Sequence, residues 1–321
     1  MAVRAGNENA DLIPLSDRIA RTPTVRRLRR LARSLVNAAS TPNVLRGGAL
    51  DLALPFPPLV DDNFALPSRA RAPRAGHRMA TGHLVELRKK EAWYWWHVNK
   101  RRLVTDLLTR CAVRDGSILE IGCGGGYLSA SLSRAGCRGV ASDIDYEAAR
   151  FARDRGATET LVFDASGAWP FATGSFDVVL MLDVLEHLDD DAGALREAHR
   201  TLRANGTLVL TVPAHPFLLS SWDRMVGHRR RYTRSRLTNA VRSARFDIRK
   251  ITAWNLISFL PAVVLRTTDR LFGPGQAIAR FPEVPGWLNA CLKWQGRIES
   301  LLCRRMNLRG GLAFAGVFAK G

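Results

Sequence analysis

Residues 118–136, ILEIGCGGGYLSASLSRAG, run from an apolar strand through a glycine-rich turn into a helix-forming stretch. A turn of this kind lets backbone pass close to a ligand and adopt conformations that side chains resist. The glycines fit G-x-G-x-G at Gly122, Gly124 and Gly126. The G-x-G-x-x-G spacing of nicotinamide and flavin enzymes would put glycine at position 127, where Tyr127 stands, so an oxidoreductase of that kind is disfavoured.

Working outward, apolar runs alternate with helical patterns as successive βα units. Strands are predicted at 117–122, 139–143, 159–163, 176–182 and 207–212, with helices at 127–135, 146–155 and 192–203 between them. A helix at 233–243 and strands at 246–254 and 311–320 complete a seven-stranded, mostly parallel, doubly wound α/β sheet. Ligands sit at the carboxyl ends of the strands in such sheets. Asp143, followed by Ile144, ends the second strand 21 residues after Gly122, where a carboxylate can accept both hydroxyls of an adenosyl ribose. Asp164, beside Ala165, closes the third strand and could hydrogen-bond an adenine amino group. The fourth strand, FDVVLMLDVLEHL, runs into Leu182, Asp183, Glu186 and His187.

Taken in order, ILEIGCGGGYLSASLSRAG, ASDIDYEAARFAR, FDASGAWPF, FDVVLMLDVLEHL and LRANGTLVLTVP resemble the motifs of class I S-adenosylmethionine-dependent methyltransferases over about residues 90 to 235. The nearest branch includes ubiquinone and menaquinone biosynthesis enzymes. The resemblance implies a Rossmann-like sheet with an antiparallel last strand, helical additions, and S-adenosyl-L-methionine as cofactor. It implies that Glu120, Gly122, Gly124 and Gly126 cradle the methionine part, Asp143 and Ile144 the ribose, and Asp164 and Ala165 the adenine. Leu182 and Asp183 would line the reaction chamber. The run VPAHPFLLSSWDRMVGHRRRYTRSRL, with Trp222, Asp223, His228, Arg231, Tyr232 and Thr233, is similar to methyltransferases encoded among glycan and lipid-linked sugar genes. That similarity extends to the aromatic-basic helix EAWYWWHVNKRR.

Methyl transfer from a sulfonium is an in-line displacement helped by positioning and exclusion of water, and an alcohol acceptor also benefits from a base. His187, His215 and His228 are the candidate bases: His187, after Glu186 at a helix start, is equally able to serve as a cap or packing group, whereas His215 and His228 flank the variable substrate segment as more exposed candidates. Asp223 could orient one of them or help hold a divalent ion, although no metal-ligand set stands out. Arg229, Arg230 and Arg231 could engage an anionic group on the substrate or form solvated surface. An O-methyltransferase acting on a glycan, glycolipid or related metabolite is the leading expectation. Other small-molecule methyltransferases and a non-catalytic cofactor-binding module remain alternatives. A nucleic-acid methyltransferase lacks its expected motif, because LDVLEHL stands where base methylation calls for a proline-aromatic tetrapeptide.

The 321 residues are 46% hydrophobic, enough for one large domain with accessory parts. The predicted organisation is a mobile Arg/Pro-rich region at 1–80, a helical cover at 81–116, a cofactor-binding core at 117–254, a helical substrate-side insertion at 255–310 and a last core strand at 311–321. Within the first region, Val25, Leu28, Leu31, Ala32 and Leu35 mark a basic amphipathic helix that could pack on the domain or touch a membrane. The apolar segments 255–265 and 284–294 are too short to span a bilayer and leave the same choice. Of the 48 basic residues 42 are arginine, a bias that GC-rich coding produces unselected, so the formal charge of +19 does not by itself establish a polyanionic partner. Five scattered cysteines and an N-terminus without an apolar core point to a reducing, cytoplasmic setting. The oligomeric state is not legible.

Overall fold

The protein is described from a computed structural model over residues 81–109, 116–272 and 283–321. The expected mobile region, with its basic amphipathic helix, lies outside the described residues. Among the described residues two helices, α1 (Thr81–Lys90) and α2 (Trp95–Leu108), precede β1 (Ser117–Ile121). There follow α3 (Tyr127–Arg134), β2 (Arg138–Asp143), α4 (Tyr146–Asp154), β3 (Glu159–Val162), β4 (Phe176–Leu182), α5 (Asp191–Thr201) and β5 (Leu202–Pro213). After a short 3-10 turn come α6 (Ser221–Met225), α7 (Arg234–Ser243), β6 (Phe246–Trp254), α8 (Phe259–Phe272), α9 (Gly286–Arg305) and β7 (Ala313–Lys320).

The seven strands form one sheet in the order β3-β2-β1-β4-β5-β7-β6, with β7 antiparallel to both its neighbours. The expected Rossmann-like, mostly parallel sheet with an antiparallel last strand is therefore the observed one. Helices cover both faces, which is why the central strands read as unbroken apolar runs rather than alternating ones. All five residues of β1 and the first six of β4 are buried. One face packs Phe176, Met181, Leu210 and Phe318 together with Leu195 and Leu237. The other packs Val178 and Val209 against Leu107 and Leu132. Helix starts are fixed locally: Asp145 caps α4 by accepting the Glu147 N–H, and Asp190 caps α5 by accepting that of Gly193.

Some boundaries differ from expectation for visible reasons. β5 begins at Leu202 instead of 207 because Leu202 already pairs with Phe176, after which the chain bulges through Asn205 (φ 62°) and resumes register at Thr207 opposite Val178. The α5 helix accordingly stops at Thr201, short of the expected 203. His187, expected at a helix start, occupies a turn instead, with the helix beginning at Asp191.

The insertion between β6 and β7 divides its work. α9 lies along α2, with Trp95 N–H donating to Asn289 Oδ1 (2.8 Å) and Asn99 Nδ2 donating to the Leu292 carbonyl (2.9 Å). A methyl group on Gly296 would fall 2.1 Å from Asn99, so this close helix approach needs glycine. α8 stands on the side where the strands end. Among the described residues no helix is long and apolar enough to cross a membrane.

Candidate active site

A cavity of about 860 Å³ opens over the carboxyl ends of β1, β2, β3, β4 and β5. Its size lies within the roughly 300–1,000 Å³ usual for small-molecule sites. α2 supplies Trp95, Trp96 and Lys100 to one wall, and α8 supplies Pro261, Ala262 and Leu265 to another. The aromatic run is thus a pocket wall, apart from Trp93, which is 48% exposed.

Of the residues expected on the cofactor side, Glu120, Gly122, Gly124, Asp143, Ile144, Asp164, Ala165, Leu182 and Asp183 all line this cavity. Gly122 and Gly124 take left-handed conformations, with φ of 71° and 55°. Asp143 holds the turn in shape: its Oδ2 accepts the Gly124 N–H (2.9 Å) and its Oδ1 that of Asp145 (3.0 Å). Burial raises the pKa of Asp143, and the backbone N–H groups oppose that shift. Glu120, buried and hydrogen-bonded to the Ser129 hydroxyl, is pushed up to about 7 by its burial. Asp164 accepts the N–H and hydroxyl of Ser166 at the cavity edge.

Gly126 is not among the lining residues. Its φ is 74°, and a methyl group there would lie 2.2 Å from the Ala152 Cα, so this glycine seats α3 against α4. At Gly125, a methyl group would strike the carboxylate of Glu91, which accepts the Gly125 N–H (3.2 Å) and pairs with Arg155 (2.7 Å). The third glycine of the motif therefore serves packing, and Gly125, between the second and third, serves a carboxylate delivered from 34 residues upstream.

The opposite side is organised by Asp223, which is fully buried and sits behind the cavity surface. Its Oδ1 accepts from His228 Nδ1 (2.9 Å) and from Arg231 Nε and Nη2 (3.0 and 2.7 Å). Its Oδ2 accepts from Arg266 Nη1 (2.7 Å) and the Ser220 N–H (2.9 Å). Burial works against its charge, yet the bonds from His228 and Arg231 and the nearby Arg266 hold it well below the usual carboxylate range. With both oxygens already accepting from protein N–H groups, Asp223 does not have the character of a metal ligand.

His228 lines the cavity, and its Nδ1 must carry the proton to donate to Asp223, leaving Nε2 as the acceptor of the neutral ring. That Nε2 lies 3.7 Å from Glu186 Oε1. Glu186 is completely buried, neither carboxylate oxygen has a hydrogen-bond partner, and burial followed by the Asp183 charge drives its pKa well above the ordinary value. His187 also lines the cavity, its Nδ1 3.2 Å from the Gly227 carbonyl and its ring edge-on to that of His228. Ligand atoms of Glu186, His187 and His228 lie within 4.8 Å of one another, close enough for a metal ion.

His215, by contrast, stands apart from the cavity. Its φ is 63°, and its ring packs among Phe217, Phe259 and Phe314, where burial lowers its pKa. The arginine run is tied down too: Arg229 pairs with Asp189, Arg230 with Asp191 (3.1 Å) and Arg231 with Asp223. Only Arg231 of the three lines the cavity.

Several site groups escaped the motifs. Lys100 Nζ donates to Asp183 Oδ2 (3.0 Å), and the Thr211 hydroxyl donates to Oδ1 (2.7 Å). Burial penalises both charges, but their mutual attraction wins, lowering the pKa of Asp183 and raising that of Lys100. The spacing of Lys100, Glu91 and Arg266 from the motifs carries no recognisable signal. Glu186 was visible within LEHL, but its isolation was not.

Residues 119–210 match a family model described as a methyltransferase domain. A ubiquinone biosynthesis O-methyltransferase of Xanthomonas oryzae is 34% identical over 107 residues, 32% of this chain and 45% of that protein. A Mycobacterium tuberculosis protein bearing the name "Probable S-adenosylmethionine-dependent methyltransferase" is 32% identical over 37% of this chain and 43% of its own. The matched segment is thus similar to the methyltransferase domain of S-adenosylmethionine-dependent enzymes. That similarity implies S-adenosyl-L-methionine as the cofactor. The chain spans somewhat under half the length of these curated relatives. Among solved structures, an S-adenosylmethionine-dependent methyltransferase of Mesorhizobium loti aligns with a TM-score of 0.47 at 14% identity, covering 68% of this chain and 97% of that one.

Proposed function

We propose that the protein O-methylates a hydroxyl of a glycan, glycolipid or glycosylated metabolite, with His228 as general base. The observation that carries this reading is the buried Asp223–His228 pair, which fixes the ring and turns its Nε2 toward the cavity. The glycine turn, whose bare backbone adjoins the cavity beside the Asp143 carboxylate, fits a nucleoside cofactor. Glu120, Gly122 and Gly124 would hold its methionine part, Asp143 and Ile144 its ribose, and Asp164 and Ala165 its adenine. When bound, S-adenosylmethionine supplies an electrophilic methyl group on a sulfonium. His228 Nε2 takes the acceptor's hydroxyl proton as the oxygen is alkylated, and Asp223 balances the imidazolium charge that results. Glu186, 3.7 Å away, is placed to take a hydrogen bond from that imidazolium. Trp95 and Trp96 keep water from the chamber. The acceptor class is supported by the polar Ser220, His228, Arg231 and Arg266, which line the cavity together with the apolar Pro261, Ala262 and Leu265.

The test pairs calorimetric titration of S-adenosylmethionine with labelled methyl transfer into glycan and lipid extracts. His228→Ala should leave cofactor affinity within about twofold and cut transfer by roughly 10²–10⁴-fold, the usual worth of a general base. Undiminished transfer would overturn the base assignment, and absent cofactor binding by folded parent protein would overturn the whole reading.

The Glu186, His187 and His228 cluster favours a second reading, in which a divalent transition ion activates the acceptor oxygen and His228 is a ligand. Titration with Mn²⁺ or Zn²⁺ decides it: tight binding lost in Glu186→Gln supports the ion, and no binding leaves His228 as base.

A further inference from the structure

α9 carries an apolar stripe that no described residue covers. Trp287, Cys291, Trp294, Ile298 and Leu301 recur at helical spacing on its outer side, with Trp287 70% and Trp294 63% exposed. The inner side, with Asn289, Gly296, Ser300 and Cys303, is buried against α2 and β6. α8 repeats the pattern: Leu260 is 70% and Val264 61% exposed, while Pro261 and Ala262 line the cavity. Leu265 does both, lining the cavity at 68% exposure, so the apolar surface runs to the cavity rim. Tryptophan is seldom left this exposed, and a contiguous apolar patch of this kind marks a docking surface.

The charges beside the stripe identify its partner. Arg297, Arg304 and Arg305 are exposed on α9, whereas Glu299, the one carboxylate among the described side chains of the two helices, is 8% exposed and accepts from Leu256 N and Gln295 Nε2. A surface of tryptophan and leucine edged with arginine suits the headgroup region of an anionic bilayer, where indole rings and guanidinium groups both find favourable places. A second copy of the chain would bring like charge to like, and at +19 per chain that repulsion is large. We propose that the outer faces of α8 and α9 dock this protein on an anionic membrane surface, placing the rim of the cavity at the lipid headgroups. Docking does not depend on the methyl-transfer reading.

The test is flotation of the full chain with vesicles of phosphatidylcholine alone and of phosphatidylcholine with phosphatidylglycerol, at low and high salt. The expected result is binding to the phosphatidylglycerol vesicles that weakens with salt and falls at least tenfold in the double variant Trp294→Glu with Ile298→Glu. Both positions are exposed and outside the cavity, so thermal melting and S-adenosylmethionine titration should match the parent, showing that the fold survives. A milder variant, Arg304→Gln with Arg305→Gln, should weaken binding severalfold while leaving melting unchanged. Equal vesicle binding by parent and double variant would overturn the proposal in favour of another basic segment of the chain. Absence of binding to either vesicle would overturn it as well, as would a parent dimer in sedimentation that the double variant dissolves, since the stripe would then cover a second copy.

Discussion

The two sides of the cavity are built by different physics. On the glycine-turn side the wall is backbone: Gly122 and Gly124 in left-handed conformations, pinned by one carboxylate at the end of the neighbouring strand. On the α8 side the wall is charge: the fully buried Asp223 gathers His228 and Arg231 from one loop and Arg266 from α8 into a single network. Backbone walls tolerate little change of shape, because a Cβ has nowhere to go. Charged walls tolerate little change of protonation, because each buried group depends on its partners.

The sharpest way to break the charged side is Asp223→Asn. It would leave Arg231, 4% exposed, and Arg266 facing a neutral amide, and removing one partner of a buried ion pair costs about 3–5 kcal/mol. Urea unfolding of parent and variant at neutral pH measures that loss, and a change below about 1 kcal/mol would show that water reaches the arginines.

Next in size is Asp143→Ala on the backbone side. A hydrogen bond to a charged group is worth about 1.5–3 kcal/mol, so S-adenosylmethionine should bind roughly 10–100-fold more weakly, with unfolding far less affected than in Asp223→Asn. Asp143→Asn, which keeps an acceptor for the Gly124 N–H, should recover part of the affinity. Equal affinity in all three proteins would show that the carboxylate shapes the turn without holding ligand.

The two sides also differ in how far they could be read in advance. The glycine turn, Asp143 and the strand ends were legible because their constraints are local: left-handed backbone needs glycine, and a strand end needs a turn. The succession of strands along the chain followed from the βα alternation. Even there Gly126 packs against Ala152 on the next helix and is not among the residues that line the cavity. The charged side was legible in residue types only. Nothing in the spacing of Lys100 and Asp183, 83 positions apart, or of Asp223 and Arg266, 43 apart, announces a pair. His215 looked equivalent to His228, and tertiary packing alone separates a ring among three phenylalanines from a ring beside a carboxylate.

Glu186 tests the comparison most delicately, since it is the one carboxylate on the charged side without a hydrogen-bonding partner. Its pKa is raised in the folded chain, so the folded state binds a proton that the unfolded state releases near pH 4.3. The group's contribution to stability is therefore fully present below that value and declines as pH rises toward the folded pKa. Glu186→Gln removes the penalty while keeping the shape, so the variant should melt higher than the parent at pH 7 by a few degrees, about 2–4 °C per kcal/mol in a domain of this size. The gap should close as the pH is lowered toward 4. A variant that instead melts lower at pH 7 would mean that Glu186 is ionised and held by His228 and Lys100. The charged side would then contain a second complete ion network where the structure shows an isolated acid.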